Sequence, residues 1–197
     1  MKQPKKLRLQ WGHRMKVLQQ PFQGIKILDP EFHKDERGFF LECFQKERYA
    51  KIGITEEFVQ DNHSRSVKNV LRGLHFTRKK PQSQIVTVMR GKIFDVVVDI
   101  RVNSPTFGKW FGIELSDGGQ RQIYMPHGFA HGFCVLSDWA DLHYKVSQKY
   151  DPTDEGGLNW NDPEIKIKWP LKKIVMSNRD KGHPYLTQLN PSRLIDK

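Results

Sequence analysis

The sequence predicts an all-β protein, a β-sandwich that closes into a jelly roll and carries only a few short helices. Three observations lead there. From about Val17 onward, short runs rich in β-branched and aromatic residues are broken by Gly, Pro, Asn and Asp, the punctuation of sandwiches and barrels. The stretch from Gln84 to Arg101 alternates at the two-residue period of a strand. Segments with helical periodicity are few.

In chain order, residues 1–16 read as a basic leader outside the fold. Lys2, Lys5, Lys6, Arg8 and Arg14 fall in its first fourteen positions with no acid and little patterning. Residues 17–197 then form a single domain, a length that encloses one core and one deep pocket. Gln45–Lys51 can form a short helix before Gly53. Ile85–Met89 and Ile93–Ile100 are strands, and Arg90-Gly91-Lys92 between them reads as a hairpin turn. In the second strand Phe94, Val96, Val98 and Ile100 point one way, and Asp95, Val97, Asp99 and Arg101 the other. A strand facing solvent produces that pattern, and so does one lining a polar cavity. The C-terminal third is rich in loops, with Pro152, Pro163, Pro170 and Pro184 as breaks. The arrangement expected is a cupin-type jelly roll.

The formal net charge is +11. The leader's first fourteen residues supply +5, so the remainder carries +6, with bases interleaved among acids rather than gathered in a run. That distribution points to a small anionic ligand and away from nucleic acid. Cys43 and Cys134 are the only cysteines; two isolated thiols do not make a disulfide framework. The basic start meets no apolar segment of a secretory signal. No run approaches the ~18 apolar residues of a membrane span. A soluble, cytoplasmic protein with no membrane partner is expected.

His75 lies in Arg72-Gly73-Leu74-His75-Phe76, and His127 and His131 in Pro126–Phe133. Gly73 lets the backbone approach another group closely, and Arg72 offers a planar fork for phosphate or carboxylate. Many cupins bind iron, zinc or manganese through His-x-His followed by an acid. Here Thr77 stands two after His75, and Arg78, Lys79 and Lys80 follow, three charges that repel a cation. His127 and His131, four apart on a strand, would be separated by about 13 Å, too far to share an ion. No catalytic metal is expected. Neither cysteine sits in a reactive setting, and there is no nucleophile elbow or dinucleotide fingerprint. General acid–base chemistry on an anionic ligand remains, with His75, Tyr144, Asp180, Asp95 and Asp99 as candidates.

Seven ordered motifs then converge. They are Asp35–Phe40 (DERGFF), Gln60–Ser64 (QDNHS), Leu71–Phe76 (LRGLHF), Phe94–Arg101, Ser104–Gly108 (SPTFG), Pro126–Phe133 and Trp160–Asp162 (WND). Together they resemble the dTDP-4-dehydrorhamnose 3,5-epimerase family over about residues 18–186. The resemblance implies a homodimeric cupin without metal or organic cofactor, acting on a dTDP-linked 4-keto-6-deoxy sugar. It implies His75 as the base beside the ketone, Asp180 as its orienting partner and Tyr144 as the acid on the opposite face. It also implies substrate contacts from Arg37, Glu42, Gln60, Asn62, Arg72, Gln84, His131, Tyr150, Glu155 and Arg179, with the arginines suited to diphosphate and Tyr150 to stacking on the base. The short apolar run Phe39-Phe40-Leu41, which needs cover, agrees with a dimer.

Elementary chemistry agrees with that cast. A ketone acidifies the neighbouring carbons because the electron pair left behind delocalises onto oxygen. Inversion needs a base on one face of the ring and a proton donor on the other. A carboxylate on the second imidazole nitrogen fixes the tautomer and stabilises the imidazolium. Two positions depart from the family pattern: Thr77 replaces a common glutamine, and Gln84 replaces a common lysine thought to hold charge on the enolate oxygen. Arg72, Lys79 or Lys145 could compensate. The expected activity is epimerisation at C3 and C5 of dTDP-4-dehydro-6-deoxy-D-glucose to dTDP-4-dehydro-L-rhamnose, for L-rhamnose supply. The alternatives are a C3-only epimerase, an epimerase of another 4-keto sugar nucleotide, or a catalytically silent sugar-nucleotide-binding cupin.

Overall fold

A computed structural model describes residues 15–189; the first fourteen residues of the expected leader lie outside them, while its last residue, Lys16, opens the first strand. The strands in chain order are β1 (Lys16–Gln19), β2 (Lys26–Asp29), β3 (Phe32–Asp35), β4 (Gly38–Leu41), β5 (Gln60–Val67), β6 (Leu71–Thr77), β7 (Gln84–Arg90), β8 (Lys92–Asp99), β9 (Trp110–Ser116), β10 (Gln122–Met125), β11 (Phe129–Val135), β12 (Trp139–Val146) and β13 (Glu155–Gly157). The helices are α1 (Lys46–Lys51) and the four-residue α2 (Asn178–Lys181), followed by a 3₁₀ turn at Leu186–Gln188. One sheet has the order β1-β2-β10-β7-β12-β5, the second β13-β6-β11-β8-β9, and β3-β4 form a separate hairpin. The strands of both sheets pair antiparallel. The all-β, cupin-type expectation holds.

Alternation decides what each sheet buries. Between the sheets, Ile27, Val86, Val88, Ile123 and Leu142 of the first meet Ile93, Val97, Leu115, Phe133 and Val135 of the second. The outer face of the second sheet carries Phe76, Val96, Val98 and Ala130, covered by Leu158, Ile165 and Trp169 of the loop-rich C-terminal third. The outer face of the first carries Leu28, Ile85 and Tyr124 against Tyr49 of α1 and Ile54. α1 forms where the sequence indicates: the Gln45 side chain caps its start by accepting from the Arg48 N–H at 2.7 Å, and Gly53 follows in a left-handed conformation (φ 78°).

The two faces of β8 can now be assigned. Its apolar face packs outward under the C-terminal segment, and the charged face turns inward. Asp95 and Asp99 are fully buried. Asp99 is held by Arg101 at 2.6 Å and by the hydroxyls of Ser104 and Thr106, each at 2.6 Å. These bonds outweigh the upward push of burial and keep its carboxyl below the usual range.

The expected hairpin at Arg90-Gly91-Lys92 is not one. β7 belongs to the first sheet and β8 to the second, so Gly91 is a corner at which the chain changes sheets. One residue is too little to turn two paired strands. It suffices to redirect the chain because Gly91 adopts φ 84° and lies against its neighbours, where an added Cβ would stand 2.3 Å from the Trp139 carbonyl oxygen. Gly91→Ala should therefore cost at least about 2 kcal/mol. Gly118→Ala, whose Cβ would meet nothing closer than 4.0 Å, should change stability by less than about 1 kcal/mol. Urea denaturation of the two variants checks both.

Candidate active site

β6 lies between β11 and β13, with His75 opposite His131 on one side and Gly157 on the other. The two imidazoles line one cavity of about 380 Å³. Each is tied to a buried carboxylate: His75 Nε2 to Asp180 Oδ1 at 3.0 Å, and His131 Nε2 to Asp95 Oδ2 at 2.9 Å. Facing them from the other sheet is Tyr144 on β12, level with Asn62 of β5 and Val86 of β7.

Asp180 reaches His75 because Ser177 caps α2, its hydroxyl accepting from the Asp180 N–H at 3.1 Å. The carboxylate is buried; Oδ2 accepts from the Gly73 N–H at 3.1 Å, which leaves Oδ1 for His75. Burial by itself raises such a carboxyl. The His183 and His75 imidazoles and the Gly73 N–H outweigh it and hold Asp180 well below the usual carboxylate range. An ionised carboxylate only accepts, so the proton of neutral His75 sits on Nε2. Nδ1 keeps its lone pair on the side of Glu155, whose Oε1 is 3.7 Å away. Arg179 Nη2, 3.2 Å from Nε2, is then a charge contact rather than a hydrogen bond. Burial raises the Tyr144 phenol, Arg72 opposes this, and Glu155 and Tyr150 add to it; the net shift is upward, which leaves a neutral proton donor at pH 7.

The mouth of the cavity is a linked set of polar groups. Arg179 pairs with Glu155 at 2.6 Å, and Glu155 accepts from the Tyr150 hydroxyl at 3.2 Å. The Tyr150 N–H donates to Gln60 at 3.0 Å, and Gln60 donates to Asn62 at 2.8 Å. Arg72 is steadied by the Ser66 hydroxyl at 2.9 Å. Gln84 lines the cavity with its amide donating to Gln82 at 3.0 Å. Among the described residues, the lysine and arginine side chains on the cavity wall are Arg72 and Arg179. Lys145 is on the other face of β12, bonded to Asp61 at 2.6 Å and lying over the Phe44 ring. The backbone N–H of Lys79 is bound by Asp154 at 2.7 Å, and its side chain is not on the wall.

Most of the residues singled out from sequence therefore converge: Gln60, Asn62, Arg72, His75, Gln84, His131, Tyr144, Tyr150, Glu155 and Arg179 line the cavity, with Asp180 behind His75. Arg37 and Glu42 do not line it. Arg37 is bound to Asp35 at 2.5 Å in the exposed β3-β4 hairpin, and Glu42 to Arg48 at 2.9 Å. Asp99 is held by its own loop, which leaves no role as a base. His127 lines a separate, more open hollow with Glu56 and Lys80. His183 was not anticipated. Its ring stands edge-on to His75 (centroids 5.5 Å, interplanar angle 87°) and its Nε2 is 3.7 Å from Asp180 Oδ1. The signal available was a histidine three residues after Asp180 and just before Pro184. Donor atoms of His75, Asp180 and His183 all lie within 4.8 Å of one another, a spacing that could admit a metal ion.

A histidine–carboxylate pair and a neutral tyrosine facing one polar cavity from opposite sheets, with two arginines on its wall, define a jelly-roll acid–base enzyme for an anionic ligand. The family model for dTDP-4-dehydrorhamnose 3,5-epimerase matches residues 19–188. A dTDP-4-dehydrorhamnose 3,5-epimerase of Methanothermobacter thermautotrophicus is 48% identical over 162 residues, 81% of this chain and 88% of the relative. A dTDP-4-dehydrorhamnose 3-epimerase of Streptomyces niveus is 42% identical, over 88% and 84% of the two chains. The crystal structure of a Legionella pneumophila dTDP-6-deoxy-D-glucose-3,5-epimerase in complex with dTDP-4-keto-L-rhamnose superposes with a TM-score of 0.90 at 45% identity, covering 92% of this chain and 97% of that one. The chain belongs to the dTDP-4-dehydrorhamnose 3,5-epimerase family, a family of isomerases.

Asp180 also shapes acid stability. Its folded pKa is depressed, so its contribution is complete above the unfolded value of about 3.9 and is lost as pH falls toward the folded one. Asp180→Asn should show a shallower loss of stability than the wild type below about pH 4, read from urea midpoints measured through the acid range.

Proposed function

We propose that this chain inverts C3 and C5 of dTDP-4-dehydro-6-deoxy-D-glucose, giving dTDP-4-dehydro-L-rhamnose for L-rhamnose biosynthesis. The observation that carries the reading is the placement of His75, backed by Asp180, and Tyr144 on opposite sheets of one cavity. His75 Nδ1 takes the proton from a carbon beside the C4 ketone, and the electron pair moves onto the ketone oxygen. Asp180 steadies the imidazolium through Nε2. The Tyr144 phenol returns a proton to the opposite face of the ring, and exchange with solvent resets both groups before the second inversion. Arg72 and Arg179 suit the diphosphate, and the exposed ring of Tyr150 suits the nucleotide base. The free thiols of Cys43 and Cys134 fit a reducing compartment, the cytoplasm.

Gln84 favours a second reading. Its neutral amide, already bonded to Gln82, brings no full charge to an enolate oxygen. Of the three cations that could compensate, only Arg72 is on the cavity wall. The substitution could therefore slow one inversion more than the other and leave a C3-only enzyme, the activity named for the Streptomyces niveus relative. Incubation with the 4-keto substrate in heavy water separates the readings. Deuterium at both C3 and C5 supports the first, at C3 alone the second, and at neither would leave a sugar-nucleotide-binding protein. His75→Asn should lower exchange at both carbons by about 10²–10⁴. Tyr144→Phe should keep some exchange but lose inversion. Gln84→Lys should change the rate little if Arg72 compensates, and accelerate it about 10²–10³ if the missing charge limits the reaction.

The unit we propose is a homodimer. Phe32 and Phe39 of the β3-β4 hairpin are 41% and 60% exposed and meet edge to face, with Phe40 exposed beside them. Side chains of this size call for cover. Arg37 lies in the same hairpin and Glu42 directly follows it, so a second copy packed on this arm could present both to the neighbouring cavity. Light scattering should give a dimer at micromolar concentration, and Phe39→Asp should shift it toward monomer.

A further inference from the structure

We infer that His75, Asp180 and His183 form a chelating site for a borderline transition-metal ion such as Zn²⁺, and that occupancy switches the epimerase off. Two imidazoles and one carboxylate are the donor set that suits zinc, cobalt or nickel rather than magnesium or calcium. The spacing fits. Asp180 Oδ1 is 3.0 Å from His75 Nε2 and 3.7 Å from His183 Nε2, and the donors all lie within 4.8 Å. Donors around a tetrahedral zinc ion stand ~3.3 Å apart, so small side-chain movements close the set. His183 is built into place. Its ring occupies the space left by Gly157, where a Cβ would fall 2.1 Å from Nδ1. Its Nε2 is buried and, at 3.7 Å from Asp180 Oδ1, stands beyond direct hydrogen-bond reach, so an ion held between the two atoms would engage both.

Inhibition follows from the tautomer. Asp180 now keeps the His75 proton on Nε2. A metal on Nε2 displaces that proton, and the neutral imidazole then carries its hydrogen on Nδ1. Nδ1 is the atom that must accept the substrate's proton, so the bound ion removes the base from the cavity wall. This half of the inference rests on His75 being the base; the binding half does not. Arg179 opposes the ion, since its guanidinium lies 3.2 Å from His75 Nε2 and 3.5 Å from Asp180 Oδ1. More than half of that side chain is exposed and it already pairs with Glu155, so it can swing aside.

The test uses the chelator-treated full chain titrated with Co²⁺, followed by its visible d–d bands, and with Zn²⁺ by calorimetry. One equivalent should bind. Loss of an outer-shell partner already costs about 10–100-fold in metal affinity, so His183→Gln, which removes a ligand, should weaken binding at least about 100-fold. His63→Gln, which alters an exposed histidine paired with Asp141, should leave binding unchanged. Arg179→Gln should tighten it. Zn²⁺ should stop solvent deuterium exchange, and a chelator should restore it. No saturable binding, or binding that survives in His183→Gln, overturns the site. Binding at the site with exchange unaffected overturns the switch alone.

Discussion

A buried carboxylate costs several kcal/mol unless its charge is met, and the active site is organised around meeting that of Asp180. The Gly73 N–H holds one oxygen, and His75 and His183 face the other. Gly73 and His75 lie on β6, whereas Asp180 and His183 belong to the C-terminal segment, so the carboxylate joins the second sheet to that segment. Gly73 has φ 112° and an added Cβ would stand 2.6 Å from Gly132. Only glycine lets the backbone turn its N–H toward the carboxylate at that approach. The same interaction that holds the C-terminal segment in place sets the tautomer of His75.

The second constraint is the two-sided use of a strand. β8 places Val96 and Val98 outward against the C-terminal cover and Asp95 inward behind His131. β12 places Tyr144 on the cavity and Lys145 on the outside. A slip of one residue in either strand would exchange those faces and dismantle the site. The dense aliphatic packing around Val86, Val97 and Leu142 therefore fixes the register on which the chemistry depends. A jelly roll supplies two facing sheets, which is what a reaction needing a base and an acid on opposite sides of a ring requires.

Charge on the cavity wall is sparse. The body of the chain is basic, yet Lys79 and Lys145 are off the wall and Gln84 on it is uncharged. Arg72 and Arg179 are thus the lysine or arginine side chains that the wall presents among the described residues. Arg179 is further divided among Glu155, Asp180 and His75, which couples the polar groups at the mouth of the cavity to the His75–Asp180 pair.

The sequence by itself determined the all-β class, the short helix at Gln45–Lys51 and most of the residues singled out that converge on one cavity. Strand alternation, a capped helix and side-chain chemistry are local properties, and the ordered motifs carried the rest. It could not assign the charged face of β8, because solvent and a polar interior both select for alternation. It misread Arg90-Gly91-Lys92, because a corner and a hairpin use the same residues and differ only in which strands pair. It grouped Arg37 and Glu42 with a cavity that the folded chain builds without them. Proximity to Asp180 was the one hint of His183, whose contact with His75 joins residues more than a hundred positions apart. Only tertiary structure decides such encounters, since they depend on how the C-terminal segment packs across the second sheet.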